Sequence, residues 1–398
     1  MLTLDKIYHA KYVLKDVIRQ TDLIFAPQIR KDAEVYLKTE NLQITGSFKV
    51  RGSAYKISQL HEEERARGVV ACSAGNHAQG VAMAATKSGI PSLICLPDGA
   101  PISKVEATKR YGAKVELVKG VYDDAYARAL QLKDEKGYTF IHPFDDEDVI
   151  AGQGTIGLEI LEQLDDVDAV VVPIGGGGLI SGVAYAIKCL RPQCKVYGVQ
   201  AAGAASMVHA LQEQGPDALP SAKTIADGIA VKKAGELTYQ LCRDYVDEVV
   251  TVTDDEISTA ILTLIEQQKL IAEGAGAVAV AAVLFDKVPV AGKKVVCLVS
   301  GGSIDVTILS RVISRGLLKT GRSADITVEL VDKPGQLRGV SDIVAAAGGN
   351  VVAVNHDRTD LDTDINACYL RLMLETRDHA HVEQIRTALT EAGYKIIK

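Results

Sequence analysis

Short apolar runs rich in Val and Ile alternate with longer segments of helical periodicity over most of the chain. Several runs are apolar without alternation, which is typical of strands covered by helices on both faces. The helix-like segments between them include residues 77–87, 103–111, 122–136 and 254–268. The alternation predicts an α/β layered fold with parallel strands and right-handed crossovers. The predicted strands are Val69–Ser73, Ser92–Leu96, Lys114–Val118, Tyr138–His142, Ala169–Ile174, Lys195–Val199 and Lys294–Val299.

The pattern changes after a helix-like segment at Val306–Leu318. The polar residues that follow are predicted to be a linker over 319–324. Residues 325–398 predict the order strand, helix, strand, strand, helix, strand, which is the ferredoxin-like βαββαβ arrangement. The sequence therefore predicts a large α/β domain over residues 1–318 and a small domain over residues 325–398. The predicted elements of the small domain are Asp325–Val331, Gln336–Ala347, Val351–Asp357, Ala367–Thr376, Ala380–Ala392 and Tyr394–Ile397.

Charge and composition argue against several classes of protein. The 44 Lys and Arg residues against 51 Asp and Glu residues give a formal net charge of −7, which disfavours nucleic acid or an anionic membrane as the main partner. No apolar run approaches the roughly 20 residues needed to cross a bilayer. The N-terminus lacks the layout of a secretory signal, so we expect a cytoplasmic protein. The cysteines form no Cys-x-x-Cys pair, which indicates reduced thiols and neither a disulfide framework nor a zinc site.

Lys49 is the first candidate for chemistry. It lies in the segment Glu40–Gly52, ahead of a helix-like run at Gly52–Leu60. One interpretation is a surface lysine whose aliphatic stem packs on apolar neighbours. The other is a Schiff-base lysine, whose amine must be partly desolvated to become nucleophilic. The lysine alone does not decide between them.

Four consecutive glycines, Gly175–Gly178, directly follow the predicted strand at Ala169–Ile174 and precede a helix that starts at about Leu179. Backbone N–H groups without side chains, next to the positive end of a helix, favour a phosphate-binding turn. The segment is not a P-loop, and Ile180 stands where Gly-x-Gly-x-x-Gly would need a glycine. A flexible turn is the alternative, but four glycines cost conformational entropy without structural benefit.

Two further turns follow predicted strands, at Val299–Ser303 and at Ser73–Gly80. Ligands bind at the carboxyl ends of parallel strands, and the N–H groups of the second turn suit a carboxylate. His77 is either a general base or a structural residue that bonds to the backbone, and we favour the structural role. An imine-forming lysine, a phosphate turn without a Walker lysine and a polar sheet edge together suggest pyridoxal phosphate.

The motifs resemble those of the threonine ammonia-lyases (threonine dehydratases), in the tryptophan-synthase-β-like group of fold type II pyridoxal-phosphate enzymes. The resemblance runs from about Ile7 to Leu318. It implies two α/β subdomains with parallel sheets, the smaller (about residues 53–147) inserted in the larger. The tail resembles a single ACT domain, with Asp332–Leu337 after its first strand and Gly348–Asn350 before its second. The four motifs, in the family's order, are Ser47–Gly52, Ser73–Gly80, Gly175–Leu179 and Ser300–Gly302.

The resemblance also implies a role for each site residue. Lys49 holds pyridoxal 5'-phosphate covalently, Asn76 reaches the ring hydroxyl and Ser300 faces the ring nitrogen. Phe48 and Gly228 lie on the two sides of the ring. The substrate carboxylate is received by Ser73, Ala74, Gly75, Asn76 and His77, and the phosphate by Gly175, Gly176, Gly177 and Gly178.

The implied reaction is β-elimination of L-threonine, and of L-serine, to 2-oxobutanoate or pyruvate and ammonia. Lys49 removes the Cα proton, and the cofactor phosphate is the implied acid for the leaving hydroxyl. A neutral Ser300 beside the ring nitrogen favours elimination over transamination. Glu273 either approaches the same nitrogen or is simply an acidic residue at the first turn of the next helix.

Two alternatives remain. Serine racemases of this family carry a serine where this chain has Ala74, which has no proton to exchange, so elimination is favoured. They also bind a divalent cation through acidic residues where this chain has Gln200 and Ser206, so we expect no divalent metal and leave a monovalent ion open. A non-catalytic amino-acid sensor is disfavoured by Lys49 and Ser300 together with the four glycines.

The tail resembles ACT domains that bind amino acids where two such domains pair. We expect an amino-acid effector there, plausibly isoleucine or valine, that shifts a two-state equilibrium of the catalytic domain. A simple connecting turn is the alternative for Asp332–Leu337. The resemblance also implies a homo-oligomer, commonly a tetramer. The candidate effector residues are Asp332, Gly335, Leu337 and Asn350.

Overall fold

The computed structural model describes residues 1–360 and 364–398. It divides into two compact units, residues 1–305 and 306–398. The first unit contains two sheets with helices packed around them, which confirms the predicted α/β class with parallel strands.

The larger sheet of the first unit has six strands in the order β1-β2-β10-β7-β8-β9. The edge strand β1 runs antiparallel to β2, and the other pairs are parallel. Strand β7 is buried at every position, as expected for a strand covered on both faces. The six strands are β1 (Leu23–Phe25), β2 (Glu34–Lys38), β7 (Ala169–Pro173), β8 (Lys195–Ala201), β9 (Glu248–Val252) and β10 (Lys294–Leu298).

The smaller sheet has four parallel strands in the order β5-β4-β3-β6. Its strands fall inside the segment 53–147 that was expected to form the inserted subdomain. They are β3 (Val69–Cys72), β4 (Ser92–Pro97), β5 (Lys114–Val118) and β6 (Thr139–Phe140).

Helices connect the parallel strands of both sheets. Among the described residues, most of α12 is fully buried, because nearly all its side chains are Ala or Val and can pack against strands on one side and helices on the other. The helices of the first unit are α1 (Leu4–Leu14), α2 (Lys49–Ser58), α3 (Glu62–Arg67), α4 (Asn76–Lys87), α5 (Ile102–Arg110), α6 (Tyr122–Lys136), α7 (Glu147–Gln163), α8 (Gly178–Leu190), α9 (Ser206–Glu213), α10 (Glu236–Tyr245), α11 (Asp254–Thr263) and α12 (Gly274–Leu284).

A buried cluster of four charged side chains fastens α2 to the rest of the first unit. Arg51 of α2 donates to Glu40 at 2.7 and 2.8 Å and to Glu159 of α7 at 2.6 Å. Lys38 of β2 donates to the second oxygen of Glu159 at 2.6 Å. The two positive and two negative groups balance, which a buried set of charges requires. Since Arg51 lies two residues after Lys49, the cluster fixes the turn that carries Lys49.

The second unit is an antiparallel sheet in the order β12-β13-β11-β14 with two helices, which confirms the predicted βαββαβ arrangement. It begins with α13 at Val306, whereas residue 318 was the predicted end of the first domain. Helix α13 groups with this unit because it contacts β11, which starts inside the predicted linker. The elements are α13 (Val306–Lys319), β11 (Ser323–Val331), α14 (Gln336–Ala346), β12 (Asn350–Asp357), β13 (Ala367–Glu375), α15 (His379–Glu391) and β14 (Lys395–Ile396).

None of the helices in the part of the chain that the structure describes has the length and apolarity that crossing a membrane requires.

Candidate active site

The turns that follow β3, β6, β7 and β10 meet around one cavity of about 850 Å³ in the first unit. This is the carboxyl edge of parallel strands, where ligands bind in folds of this kind. The cavity wall contains every predicted catalytic, cofactor-binding and substrate-binding residue: Phe48, Lys49, Ser73, Ala74, Gly75, Asn76, His77, Gly175, Gly176, Gly177, Gly178, Gly228, Glu273 and Ser300.

Lys49 begins helix α2 and directs its amine into the protein, not into bulk solvent. Its Nζ donates a hydrogen bond to the backbone oxygen of Pro143 at 2.8 Å. Burial lowers the pKa of Lys49 to about 8, although the carboxylate of Glu273 opposes the change. A larger fraction of this amine is therefore neutral near pH 8 than for an exposed lysine, as a nucleophilic lysine requires. The alternative of a surface lysine does not match this environment.

The four glycines are needed for space. A Cβ atom built on Gly176 would lie 2.5 Å from the Phe144 ring, and one on Gly178 would lie 2.8 Å from the Phe144 carbonyl oxygen. Gly177 has a φ of 101°, in the left-handed region that side chains disfavour. Glycine at positions 176 and 178 therefore leaves room for Phe144, and glycine at position 177 allows the left-handed backbone.

The glycine turn also presents unused hydrogen-bond donors. Among the residues that the structure describes, none accepts a hydrogen bond from the backbone N–H groups of Gly175–Gly178. Helix α8 begins at Gly178 without a side-chain cap, so its positive end is open as well. Together these groups form an anion site suited to a phosphate.

A second open helix start lies at Ser73–His77. Helix α4 begins at Asn76 and has no side-chain cap, while the Ser73 hydroxyl accepts a hydrogen bond from Gly75 N–H at 3.1 Å. Within the described part of the chain, the N–H groups of Ala74, Asn76 and His77 have no acceptor. They are available to a carboxylate, as the sequence predicted for the substrate.

The ring of His77 is held by the backbone. Its Nε2 lies 2.9 Å from the carbonyl oxygen of Ile141, which can only accept, so Nε2 carries the proton. Burial lowers the pKa of His77 to about 3, so the ring is neutral at physiological pH. This contact agrees with the structural role preferred from the sequence.

Glu273 and Asn76 form a buried pair in the cavity wall. Asn76 Nδ2 donates to Glu273 Oε1 at 2.6 Å, while Asn76 Oδ1 is buried without a partner among the described residues. Burial, with a smaller contribution from Asp227, raises the pKa of Glu273 to about 7. The carboxylate does not cap α12, although Glu273 precedes that helix. Its contacts therefore favour a role in the cavity over the alternative of a helix-end acid.

The remaining predicted residues complete the wall. The Ser300 hydroxyl is buried and donates to the carbonyl oxygen of Ala275 at 3.3 Å. Phe48 donates its N–H to the Ser300 carbonyl at 3.1 Å, which ties the lysine turn to the turn after β10. A Cβ atom on Gly228 would lie 3.1 Å from the side chain of Ala275 and 3.5 Å from that of Glu273, so Gly228 keeps space open beside them.

The sequence analysis missed the segment His142–Asp145, which follows β6. Pro143 binds the Lys49 amine, and Phe144 packs on the glycine turn. The position of the segment after a predicted strand was a usable signal, because the carboxyl ends of parallel strands carry ligand sites. Lys104 and Thr238 were also missed. Lys104 forms an ion pair with Asp227 at 2.6 Å, and no sequence pattern marked either residue.

The candidate effector residues lie in the second unit and make separate contacts. The Asp332 carboxylate accepts two hydrogen bonds from Arg358, at 2.8 and 3.1 Å. Asn350 donates to Glu375 at 3.0 Å, and Leu337 is 39% exposed. Gly335 directly precedes helix α14 and has a φ of 93°, in the left-handed region that favours glycine. The four residues are Asp332, Gly335, Leu337 and Asn350.

Gln200 and Ser206 stand where metal-binding relatives are expected to carry acidic residues, and the Gln200 side chain is bonded to the surrounding protein. Its buried side-chain oxygen accepts from the N–H groups of Met207 and Val208, and its Nε2 lies 3.4 Å from Ser206 Oγ. Within residues 1–360 and 364–398, no group of three or more His, Cys, Asp and Glu side chains is arranged to hold a metal ion.

Comparisons with known proteins agree with this geometry. Residues 14–301 match the family described as "Pyridoxal-phosphate dependent enzyme". An L-threonine ammonia-lyase of Thermotoga maritima is 50% identical over 100% of this chain and 99% of its own length. Maize serine racemase superposes with a TM-score of 0.75 at 35% identity, covering 79% of this chain and 98% of that one. Threonine deaminase isoform 2 of Solanum lycopersicum superposes with a TM-score of 0.73 at 38% identity, covering 78% of this chain and 88% of that one.

The chain therefore belongs to the family of pyridoxal-phosphate-dependent enzymes. Within that family, the relative named L-threonine ammonia-lyase matches it along the full length of both chains. The residues present fit the cofactor: a phosphate suits the unbonded N–H groups of Gly175–Gly178, and an aldehyde suits the buried Lys49 amine.

Proposed function

We propose that this protein deaminates L-threonine to 2-oxobutanoate and ammonia, and L-serine to pyruvate and ammonia, with pyridoxal phosphate attached to Lys49. One observation carries the proposal: the buried Lys49 amine and the open N–H groups of the glycine turn line the same cavity. The full-length similarity to an L-threonine ammonia-lyase supports the choice of substrate.

Lys49 both holds the cofactor and acts as general base. When bound, pyridoxal phosphate supplies an electron-accepting ring that acidifies the Cα–H bond of an attached amino acid. With the cofactor bound, the Lys49 amine would accept that proton, because its lowered pKa leaves part of it neutral. The nearby Pro143 carbonyl can hold the amine once it is protonated.

The α4 start orients the substrate. The unbonded N–H groups of Ala74, Asn76 and His77 hold the carboxylate, and a neutral His77 ring adds no charge beside it. Ser300 places an uncharged hydroxyl in the wall, while burial raises the pKa of Glu273 to about 7 and so favours its neutral form. Because neither Ser300 nor a protonated Glu273 carries a negative charge, this part of the cavity favours loss of the β-hydroxyl over a long-lived carbanion.

Product analysis tests the proposal. Purified full-length protein mixed with L-threonine should form 2-oxobutanoate and ammonia in equal amounts, and the Lys49→Ala variant serves as the blank. Consumption of threonine without 2-oxobutanoate, or equal rates in the blank, would reject the assignment.

Serine racemisation is the second candidate, because a serine racemase has the same fold over 79% of this chain. Racemisation needs an acid or base on the face of Cα opposite Lys49. Ala74, which lines the cavity, has no such group. Chiral chromatography of L-serine reactions should show pyruvate and no D-serine, and D-serine forming as fast as pyruvate would favour the racemase.

The second unit is proposed to be an ACT domain that binds an amino acid, isoleucine or valine, near Asp332–Leu337. Its ferredoxin-like sheet and the glycine-led start of α14 support this. Initial rates should respond to the effector in the full chain and not in a chain ending at Asp305 that keeps its basal rate. Identical responses in both chains would remove the second unit from regulation.

The cytoplasm is the proposed compartment, and a homotetramer is the proposed assembly. Light scattering on the full-length protein measures the number of subunits directly, and a monomer at micromolar concentration would contradict the tetramer.

A further inference from the structure

Helices α4, α8 and α10 all begin at the cavity wall, and the start of α10 differs from the other two. Helices α4 and α8 start at Asn76 and Gly178 without a side-chain cap. The start of α10 is closed by Asp145, whose carboxylate accepts from the N–H groups of Glu236, Leu237 and Thr238, each at 3.1 Å. A carboxylate at this position uses the donors of α10 and repels another anion, so a phosphate is directed to α8.

Thr238, in the first turn of α10, connects this helix to the glycine turn. This side chain is fully buried, and its Oγ1 lies 2.6 Å from the carbonyl oxygen of Gly176 and 3.2 Å from that of Gly235. A hydroxyl has one proton, and the shorter distance assigns it to Gly176. A Cβ atom on Gly177 would lie 2.7 Å from Thr238 Cβ, so the two are in close contact.

The carbonyl of Gly176 and the N–H of Gly177 belong to one planar peptide unit, in which they point in opposite directions. The Gly176 carbonyl oxygen accepts from the Thr238 hydroxyl at 2.6 Å and, more weakly, from the Gly235 N–H at 3.3 Å. Because both donors lie at the start of α10, the Gly177 N–H is directed away from α10. That N–H is one of the donors without an acceptor among the described residues.

We infer that Thr238 is a positioning residue for the cofactor phosphate: its hydroxyl holds the Gly176–Gly177 peptide so that the Gly177 N–H faces the phosphate. Asp145 holds Thr238 in place through the start of α10. Thr238 lies outside the motifs that the sequence analysis identified, and it acts through the backbone of the turn.

The effect must be specific for the phosphate, and this separates positioning from general folding. Full-length protein freed of cofactor is titrated with pyridoxal phosphate and, separately, with pyridoxal, which has the aldehyde but no phosphate. Thr238→Val keeps the shape and removes the donor, so we expect the Kd for pyridoxal phosphate to rise about 3- to 10-fold. The Kd for pyridoxal should stay within about 2-fold.

Two further variants complete the test. Thr238→Ser keeps a hydroxyl and should bind pyridoxal phosphate within about 2-fold of the unchanged protein. Thr238→Ala cannot crowd Gly177 and should show the same selective loss as Thr238→Val, which covers the case in which valine disturbs folding. Equal weakening for both ligands, no weakening in either variant, or the same loss in Thr238→Ser would each overturn the inference.

Discussion

One part of the cavity wall works through backbone N–H groups, those of Gly175–Gly178, whereas another works through the side chains of Lys49, Asn76 and Glu273. We call these the glycine wall and the side-chain wall. The glycine wall carries no ionisable group and depends on space, since Phe144 and Thr238 leave no room for a Cβ atom. The side-chain wall depends on burial, which lowers the pKa of Lys49 and raises that of Glu273. The effects of substitutions at Lys49 and Glu273 in the side-chain wall should therefore depend on pH. The effects of substitutions in the glycine wall should not.

The largest expected effect is at Lys49. Lys49→Ala should lower the rate of 2-oxobutanoate formation by at least about 1,000-fold, because attachment of the cofactor and removal of the Cα proton are both lost. The measurement is the initial rate with L-threonine, together with the absorption spectrum of the purified protein.

Lys49→Arg is the matched variant, because it keeps the positive charge on a group that does not deprotonate in proteins. It should be as inactive as Lys49→Ala. Substantial activity in Lys49→Arg would show that the charge of Lys49 matters and its nucleophilic amine does not.

Glu273 should give the next largest effect, in stability. Its pKa in the folded protein, about 7, lies above the ordinary glutamate value of 4.5, so the folded state binds the proton more tightly. The stability contributed by the protonated group is complete below about pH 4.5 and is lost as pH rises towards 7. Glu273→Gln should therefore gain stability over the unchanged cofactor-free protein between pH 5 and 8, by up to about 3 kcal/mol in the free energy of unfolding.

Urea denaturation of full-length protein at several pH values measures this difference. Glu62→Gln, on the exposed surface of α3, is the control and should show no such trend. A difference between Glu273→Gln and the unchanged protein that stays flat from pH 5 to 8 would contradict the buried carboxyl.

A smaller effect is expected in the glycine wall. Gly176→Ala places a Cβ atom 2.5 Å from the Phe144 ring, so the turn or the ring must move. Overpacking of this kind costs about 1–3 kcal/mol, which corresponds to a roughly 5- to 150-fold weaker Kd for pyridoxal phosphate. The loss should be the same at pH 6.5 and pH 8.5.

Gly99→Ala is the control, since a Cβ atom there meets nothing within 4 Å. If Gly176→Ala binds the cofactor as well as Gly99→Ala does, space is not what selects glycine in this wall.

Much of this architecture could be predicted from the sequence, because strands covered on both faces are apolar throughout. The strands that the analysis did not find are β1, β2 and β9. Strand β1 has only three residues, β2 begins and ends with the charged residues Glu34 and Lys38, and β9 begins with Glu248. Their pairing depends on neighbours that are distant in the chain. The sequence places α13 at the end of the first domain, whereas the structure groups it with the second unit, because a helix pattern does not show which sheet the helix contacts.

The site residues also divide into those that a local sequence pattern predicts and those that depend on distant neighbours. Lys49 and the glycine turn were found because each motif requires an unusual residue in a fixed local context. Pro143 and Thr238 act through a backbone oxygen and through one hydroxyl, and many residues offer those groups. Their importance comes from three-dimensional proximity, which no local pattern records.

The four buried charges Lys38, Glu40, Arg51 and Glu159 have a consequence for how this sequence can diverge. Removing one member of such a set leaves an unmatched charge in the interior, at a cost of about 3–5 kcal/mol, against a total stability of about 5–15 kcal/mol for a typical protein. A substitution of any one of these four residues therefore gives a protein of much lower folding stability. We expect descendants of this gene to keep all four residues or to have replaced them in charge-matched pairs, so that this cluster records common descent independently of the residues that touch the substrate.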